Sequence, residues 1–278
     1  MTTLSNAANA TAPKAARRMR RRLPGIGESL VLSLAGFAIL FGGWWLLARS
    51  GLVPEQVLPG PDAVLAEILH LMRTPFAGST LQMHLLSSIG RYLMGLALAV
   101  AVGLPLGLLM GWSRRVERAI SPVFEALRFI APIAWLPFAT LWFGTGIGGP
   151  ILIIFSGAFP PCVINAYYGA KLIPTPILEA SRTLGASSLR MLTDVLAPGA
   201  LPSIIAGVRI AAGIGWQSLV GAELIVVSSG VGYLMMQGQT NLSTAVVMAG
   251  MAAIGVTGFA IDVLLRLIES RIQKGALA

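Results

Sequence analysis

The chain has 278 residues, 55% of them hydrophobic and only 11% charged, with a mean hydropathy of +0.79. Soluble domains carry about 25% charged residues, so this composition excludes an ordinary soluble globular protein and points to an integral membrane protein. The formal net charge of +9 sits in short clusters between apolar runs, the pattern of membrane orientation and not of a nucleic-acid-binding surface.

Residues 1–28 are Ala/Thr/Asn-rich and then strongly basic, which predicts a disordered cytoplasmic segment. The uncharged run from Ser29 to Ala48 is long enough for a full span, and the basic run Arg17 to Arg22 holds its leading end in the cytoplasm. Span one is read as Leu30 to Ala48, with Trp44 and Trp45 as an interfacial anchor. A periplasmic connection completes the 29–84 segment. Asp62 is placed to cap a helix after Pro61, and Val64, Leu65, Ile68, Leu69 and Met72 then recur at helical spacing, which predicts an amphipathic surface helix.

Residues 85–270 form a core of five further spans. Span two, Tyr92 to Trp112, carries Gly95, Ala99, Gly103, Gly107 and Gly111. A small residue every four lets a second helix come close, either from the same chain or from another subunit. Arg114, Arg115 and Arg118 follow and mark that end as cytoplasmic. Residues 119–170 are divided at GTGIGGP, 144–150, into span three (Ile120 to Phe143) and span four (Ile151 to Ala170). Gly144, Gly146 and Gly149 fit G-x-G-x-x-G, but with no βαβ context the segment reads as a tight turn. A polar loop, 171–198, precedes span five (Ser203 to Val227). A glycine-containing connection runs from Ser228 to about Leu242, span six is Ser243 to Leu265, and 271–278 is a cytoplasmic tail.

The positive charges agree with this topology. Six basic residues precede span one, and three lie in each of the 114–118 loop, the 171–198 loop and the tail, against Arg49, Arg73 and Arg91 on the other side. Arg128 and Arg209 fall within spans, near their cytoplasmic ends. Glu125 with Arg128, and Asp262 with Arg266, are spaced to pair on a helix face, whereas Glu223 has no cation near it in sequence.

Chemistry-bearing motifs are few. No phosphate-binding P-loop occurs: none of Lys14, Lys171 and Lys274 follows glycine before Ser or Thr. His70 and His84 are isolated, and Cys162, the single cysteine, reads as an inert thiol in an apolar run that excludes an intrachain disulfide. No catalytic or metal-ligating residue is therefore assigned; the chain is not expected to hydrolyse nucleotide, and active transport would draw its energy from a partner or an ion gradient. In the 171–202 loop, Pro174 and Pro176 restrict the approach. A short helix is expected from Thr175 or Pro176, with Glu179 in its first turn near the positive dipole end. Ala180 and Gly185 permit close approach of another surface, and Pro198 and Pro202 are expected to break the helix before span five.

Glu179-Ala180-Ser181, three residues, Gly185, nine residues, then Val195-Leu196-Ala197-Pro198 resembles the EAA loop of ABC-importer permeases. Ser181, Val195 and Ala197 depart from that family's Ala, Ile and Leu. VLPGPDAV (57–64), SSIGRYLMGLALAVAVGLPLGLLMG (87–111), RFIAPIAWLPFATLWFGTG (128–146), LPSIIAGVRIAAGIGWQSLVGAELI (201–225) and SGVGYLM (229–235) also resemble the nitrate, sulfonate, taurine and bicarbonate branch, which includes importers of aromatic acids and of thiamine or flavin precursors.

The resemblance implies an all-α integral membrane protein of the bacterial inner membrane. It would have six transmembrane helices in the type I ABC importer permease fold, with both termini cytoplasmic. ATPase coupling falls on Glu179, Ala180, Ser181, Leu184, Gly185, Ala186 and Pro198, within the 171–199 coupling loop. Implied partners are a second permease copy, two ATP-binding subunits that hold ATP and Mg, a periplasmic or lipid-anchored substrate-binding protein, and membrane lipid, with no nucleic acid. No cofactor belongs to this chain. Candidate pathway residues are Trp142, Trp216, Gln217 and Ser218, with Asn165 and Tyr168 toward the cytoplasm, whose amide, hydroxyl and indole groups can donate to a passing anion; Glu223 is a further candidate. The alternatives are a lone ion-coupled carrier using Glu223 and Asp262, and a membrane scaffold.

Overall fold

The computed structural model describes residues 26–225 and 227–276, so the expected disorder of the basic N-terminal segment falls outside the described residues except at its last few positions. All regular structure among them is helical, apart from an isolated bridge between Phe76 and Ser79. Five helices are long and apolar enough to cross a membrane, and a bent helix pair supplies a sixth crossing.

Helix α1 (Ile26–Arg49) stands apart, with Leu34, Phe37 and Leu40 exposed. It is held near its C-terminal end, where the Trp44 indole N–H donates to Pro59 O at 3.1 Å and Arg49 meets Asp62 at 3.1 Å. Helix α2 (Pro61–Arg73) begins two residues earlier than a helix capped by Asp62 would. Gly60 takes the cap position and Pro61 the first turn, so Asp62 lies inside the helix instead of capping it. Its own backbone N–H, then Arg49, hold the Asp62 carboxyl below the ordinary range. Val64 and Leu71 are buried, with Leu71 packed among Leu81, Leu234, Val246 and Ala249, while Leu65, Leu69 and Met72 remain exposed.

The centre is a three-helix stack. Helix α3 (Leu81–Trp112) starts eleven residues before the expected span. Its small-residue row meets α6 (Gly148–Lys171): a Cβ at Gly95 would lie 2.7 Å from Ile154, at Gly103 2.8 Å from Cys162, and at Gly111 2.6 Å from Ala170. The numbering offset stays constant, so the two helices run parallel. On α6 the facing positions Ala158, Cys162, Ala166 and Ala170 are themselves small and buried, which lets the backbones approach. Of the two readings of the row, the structure selects the intrachain one. An adjacent face of α6 takes the later helix α9 (Ala197–Glu223) antiparallel, with Gly169 against Ala200 and Ser203, and Gly207 against Asn165.

Parallel α3 and α6 require a return crossing between them, and this is where span three departs from expectation. It is not one helix. Helix α4 (Arg114–Leu127) stops, a 3₁₀ turn spans Pro132–Trp135, and α5 (Leu136–Phe143) continues at 87°. Pro132 and Pro137 lack the N–H groups needed to carry the ladder across the gap. Gly144, at φ +59, then starts the turn into α6.

After α6 come α7 (Thr175–Thr183), α8 (Ser188–Arg190), a π-helical turn Met191–Leu196, and α9 (Ala197–Glu223). The last three form one continuous rod, Ser188–Glu223. Pro198 and Pro202 therefore do not break the chain. Pro198 has no N–H to return to residue 194, and the helix accommodates it by widening: Ala197 N–H bonds Leu192 O in the π register. The expected glycine connection contains a further helix, α10 (Val231–Thr240), before α11 (Thr244–Ala276). Arg209 on α9 reaches Asp262 at 3.0 Å and Glu269 at 3.4 Å on α11, and Arg266 meets Asp262 at 2.6 Å as its spacing predicts.

Candidate functional site

The loop between α6 and α9 is built as an exposed platform. No residue of α7 is buried. Glu179 lies in the middle of this helix, not in its first turn, and Thr183 Oγ1 donates to its backbone carbonyl. The helix closes with a two-bond cap in which Gly185 N–H bonds Arg182 O at 2.9 Å and Ala186 N–H bonds Ser181 O at 3.1 Å. This is the Schellman arrangement, which needs a left-handed residue at the Gly185 position, and Gly185 has φ +80. A Cβ there would meet nothing within 4 Å, so the glycine serves backbone conformation and not close approach within the chain. Ser187 then caps the next helix by accepting from Arg190 N–H. Leu178 and Ala186 pack onto a cluster of Met191, Leu196 and Ala200 that ties the platform to the α9 rod. Leu184, by contrast, is 88% exposed, with Ile177 and Leu189 also open. Glu179, Ala180, Gly185 and Pro198 are exposed, and Ser181 and Ala186 half-buried. Six of the seven expected coupling residues therefore share one surface unit, while Pro198 opens α9 beside it.

At the other end of α9 lies a buried clamp that sequence reasoning missed. Glu223 is 1% exposed. Its carboxylate accepts from Arg91 Nη1 at 2.8 Å, Ser88 Oγ at 2.8 Å and Gly232 N–H at 3.1 Å. Arg91 also donates to Ser229 O at 3.0 Å and to the Ser229 hydroxyl. His84 Nδ1 accepts from Gly230 N–H, which leaves its Nε2 as donor to Phe76 O. The effect is to pin the start of α10 to α3. Gly230, at φ +108, lies so close that a Cβ would run into the Glu223 carboxyl. The signal was available: His84, Ser88 and Arg91 recur at spacings of four and three on one face of α3, but starting span two at Tyr92 left all three in a connection.

Residues 103–274 match a family profile described as "Binding-protein-dependent transport system inner membrane component". The chain belongs to this family. The permease is 36% identical over 257 residues to the taurine transport system permease protein TauC of Escherichia coli strain K12, covering 92% of this chain and 93% of that one. It is 31% identical over 269 residues to the nitrate import permease protein NrtB of a Synechocystis strain, covering 95% and 97%. A solved inward-facing structure of the MetNI methionine ABC transporter matches with a TM-score of 0.58 at 20% identity, covering 68% of this chain and 93% of that chain, which establishes the shared fold. The permease is a multi-pass inner-membrane protein.

The expected pathway residues do not share one environment. Trp142, on α5, is 71% exposed and packs on Phe138. Asn165 donates to Pro161 O of its own helix. Trp216 is buried edge-on against Tyr92 at 5.3 Å, with its N–H toward Ile254 O. Gln217 is exposed beside it and lines a cleft of about 210 Å³ between α9 and α11. Ser218 donates to Ile214 O, and Glu223 belongs to the clamp. Trp216, Asn165 and Glu223 are thus committed to packing or to partners within the permease.

Proposed function

We propose that the chain is the transmembrane subunit of an ATP-driven, binding-protein-dependent importer of small anions, such as sulfonates or inorganic oxyanions. The observation that carries this reading is α7, a capped helix that buries none of its residues yet offers Leu184 and Ile177 to the outside. Exposed apolar side chains on a rigid, polar platform suit insertion into a partner's cleft. The relatives' taurine and nitrate cargoes support an anion.

Two copies would enclose the route, since closed twofold assemblies are the common oligomers. Each α7 would dock on a separate ATPase holding ATP and Mg, and a periplasmic or lipid-anchored binding protein would deliver the cargo. ATP binding would draw the ATPases together and turn the route outward; hydrolysis would restore the inward state. The ion-coupled alternative has less to stand on, because Glu223 and Asp262 are both engaged by arginines.

The test is Leu184→Asp, with the complex purified through the permease and uptake measured in proteoliposomes. ATPase recovery and ATP-driven uptake should fall together while the permease remains in the membrane. Full recovery and uptake would overturn the docking assignment.

A further inference from the structure

Helix α4 is one limb of a membrane crossing, yet it carries a polar stripe. Glu117, Ser121 and Glu125 recur every four residues and Arg128 follows three later, so all four fall on one arc. The neighbouring arc, with Val116, Ile120 and Phe124, packs against Met110 of α3 and Val163 of α6.

Side-chain partners give the depth of each member. Glu117 accepts from Lys171 at 2.6 Å, at the last residue of α6. Phe124 meets Phe159 ring to ring at 6.2 Å. Arg128 lines a cleft with Phe155 and Ser156. The limb therefore climbs antiparallel to α6 and brings Arg128 level with the middle of that 24-residue helix. This corrects the expectation that Arg128 sits near the end of its span.

A charge at that depth faces protein or a water-filled cavity. Arg128 has one carboxylate partner, Glu125, and its side chain is 32% exposed. It borders two clefts, of about 320 Å³ and about 290 Å³. The second shares Ser121 with a third cleft of about 430 Å³, which opens among Arg114 and Arg118. The third and second clefts follow the stripe in series from the loop end of α6 toward its middle, and the first, lined mainly by apolar side chains such as Ile120, Phe124 and Leu152, meets the stripe at Arg128. Lys171 neutralises Glu117, so the row of Arg114, Arg118 and Arg128 outweighs the one remaining acid, Glu125.

We infer that the anion's route runs along this α4 stripe, with Arg128 as the cation that meets the cargo at mid-depth and Glu125 as its displaceable internal counter-ion. The inference rests on the importer reading for the identity of the cargo, but the placement of the stripe stands on geometry alone.

The test uses the full chain co-assembled with its ATPase in inside-out vesicles, without nucleotide or cargo. Ser121→Cys is treated with water-soluble methanethiosulfonates of matched size, one anionic (sulfonatoethyl) and one cationic (trimethylammonioethyl). Native Cys162 is fully buried and supplies the unlabelled control. Ser121→Cys should react with both and favour the anionic reagent, and Arg128→Gln in the same background should lower the anionic-to-cationic rate ratio by about tenfold. Glu125→Gln should raise that ratio. Glu125→Gln/Arg128→Gln, which removes both charges and leaves no unpaired ion, should give a ratio above that of Arg128→Gln alone, a recovery that assigns the loss to charge and not to misfolding.

Reaction only with a lipid-soluble maleimide would place the stripe against lipid and overturn the inference, as would a ratio indifferent to Arg128. Failure of the importer reading would show separately, as absent ATP-driven uptake with the labelling pattern intact.

Discussion

Gly185 carries more than the spacing of a motif. Its φ of +80 closes the Schellman cap of α7, and a left-handed conformation costs a residue with a side chain about 1–2 kcal/mol, least for asparagine. Since nothing stands within 4 Å of a Cβ, the penalty is conformational and not steric. ATP-driven uptake should therefore fall in the order Gly185→Asn, Gly185→Ala, Gly185→Val, with ATPase recovery following the same order. An order set by side-chain volume alone, with asparagine worse than alanine, would assign the glycine to partner contact instead. At the clamp, Arg91→Ala leaves the Glu223 carboxylate buried without its cation, a loss of about 3–5 kcal/mol. Arg91→Ala/Glu223→Gln should recover part of it, because the remaining amide can still pair with Ser88. Thermal unfolding of the detergent-solubilised permease reads both.

Helices α3 and α6 depend on a seam that tolerates no bulk. A Cβ at Gly107 would meet the Val163 carbonyl oxygen and, at 2.7 Å, Ala166. Backbone cannot move aside as a flexible side chain can, so Gly107→Val should destabilise by at least the 1–3 kcal/mol typical of overpacking. In α1, Gly42 has nothing within 4 Å, and Gly42→Ala should be neutral or mildly stabilising, since alanine is the better helix former. Comparing the two melting temperatures tests whether α1 is structurally independent of the core. The broken third crossing and the π turn before Pro198 belong to the same scale. In both places proline removes ladder donors, and the chain answers once with an 87° bend and once with a widened turn.

Across the permease as a whole, the charge bias predicts that α7 faces the cytoplasm and the α10–α11 turn faces outward. Leu184 and Leu242 are each 88% exposed at these opposite ends. In right-side-out vesicles a membrane-impermeant thiol reagent should modify Leu242→Cys and spare Leu184→Cys, and in inside-out vesicles the reverse. The opposite result would invert the topology and move the expected ATPase surface to the outside.

The sequence by itself determined the number and approximate place of the crossings. An apolar run of about 20 residues can satisfy its backbone in lipid as a helix. It also determined the exposed platform, because Glu179 through Gly185 form a local pattern read along one short helix. Only the tertiary structure decided what the small-residue row of α3 faces, since a glycine stripe specifies closeness and not a partner. Only it joined Glu223 to Arg91 across 132 positions, because a buried charge finds its counter-ion through packing and not through periodicity. Mid-depth placement of Arg128 was likewise hidden until α4 and α6 were aligned, since span counting measures position along one helix and the depth of a broken one is set by the neighbours it climbs.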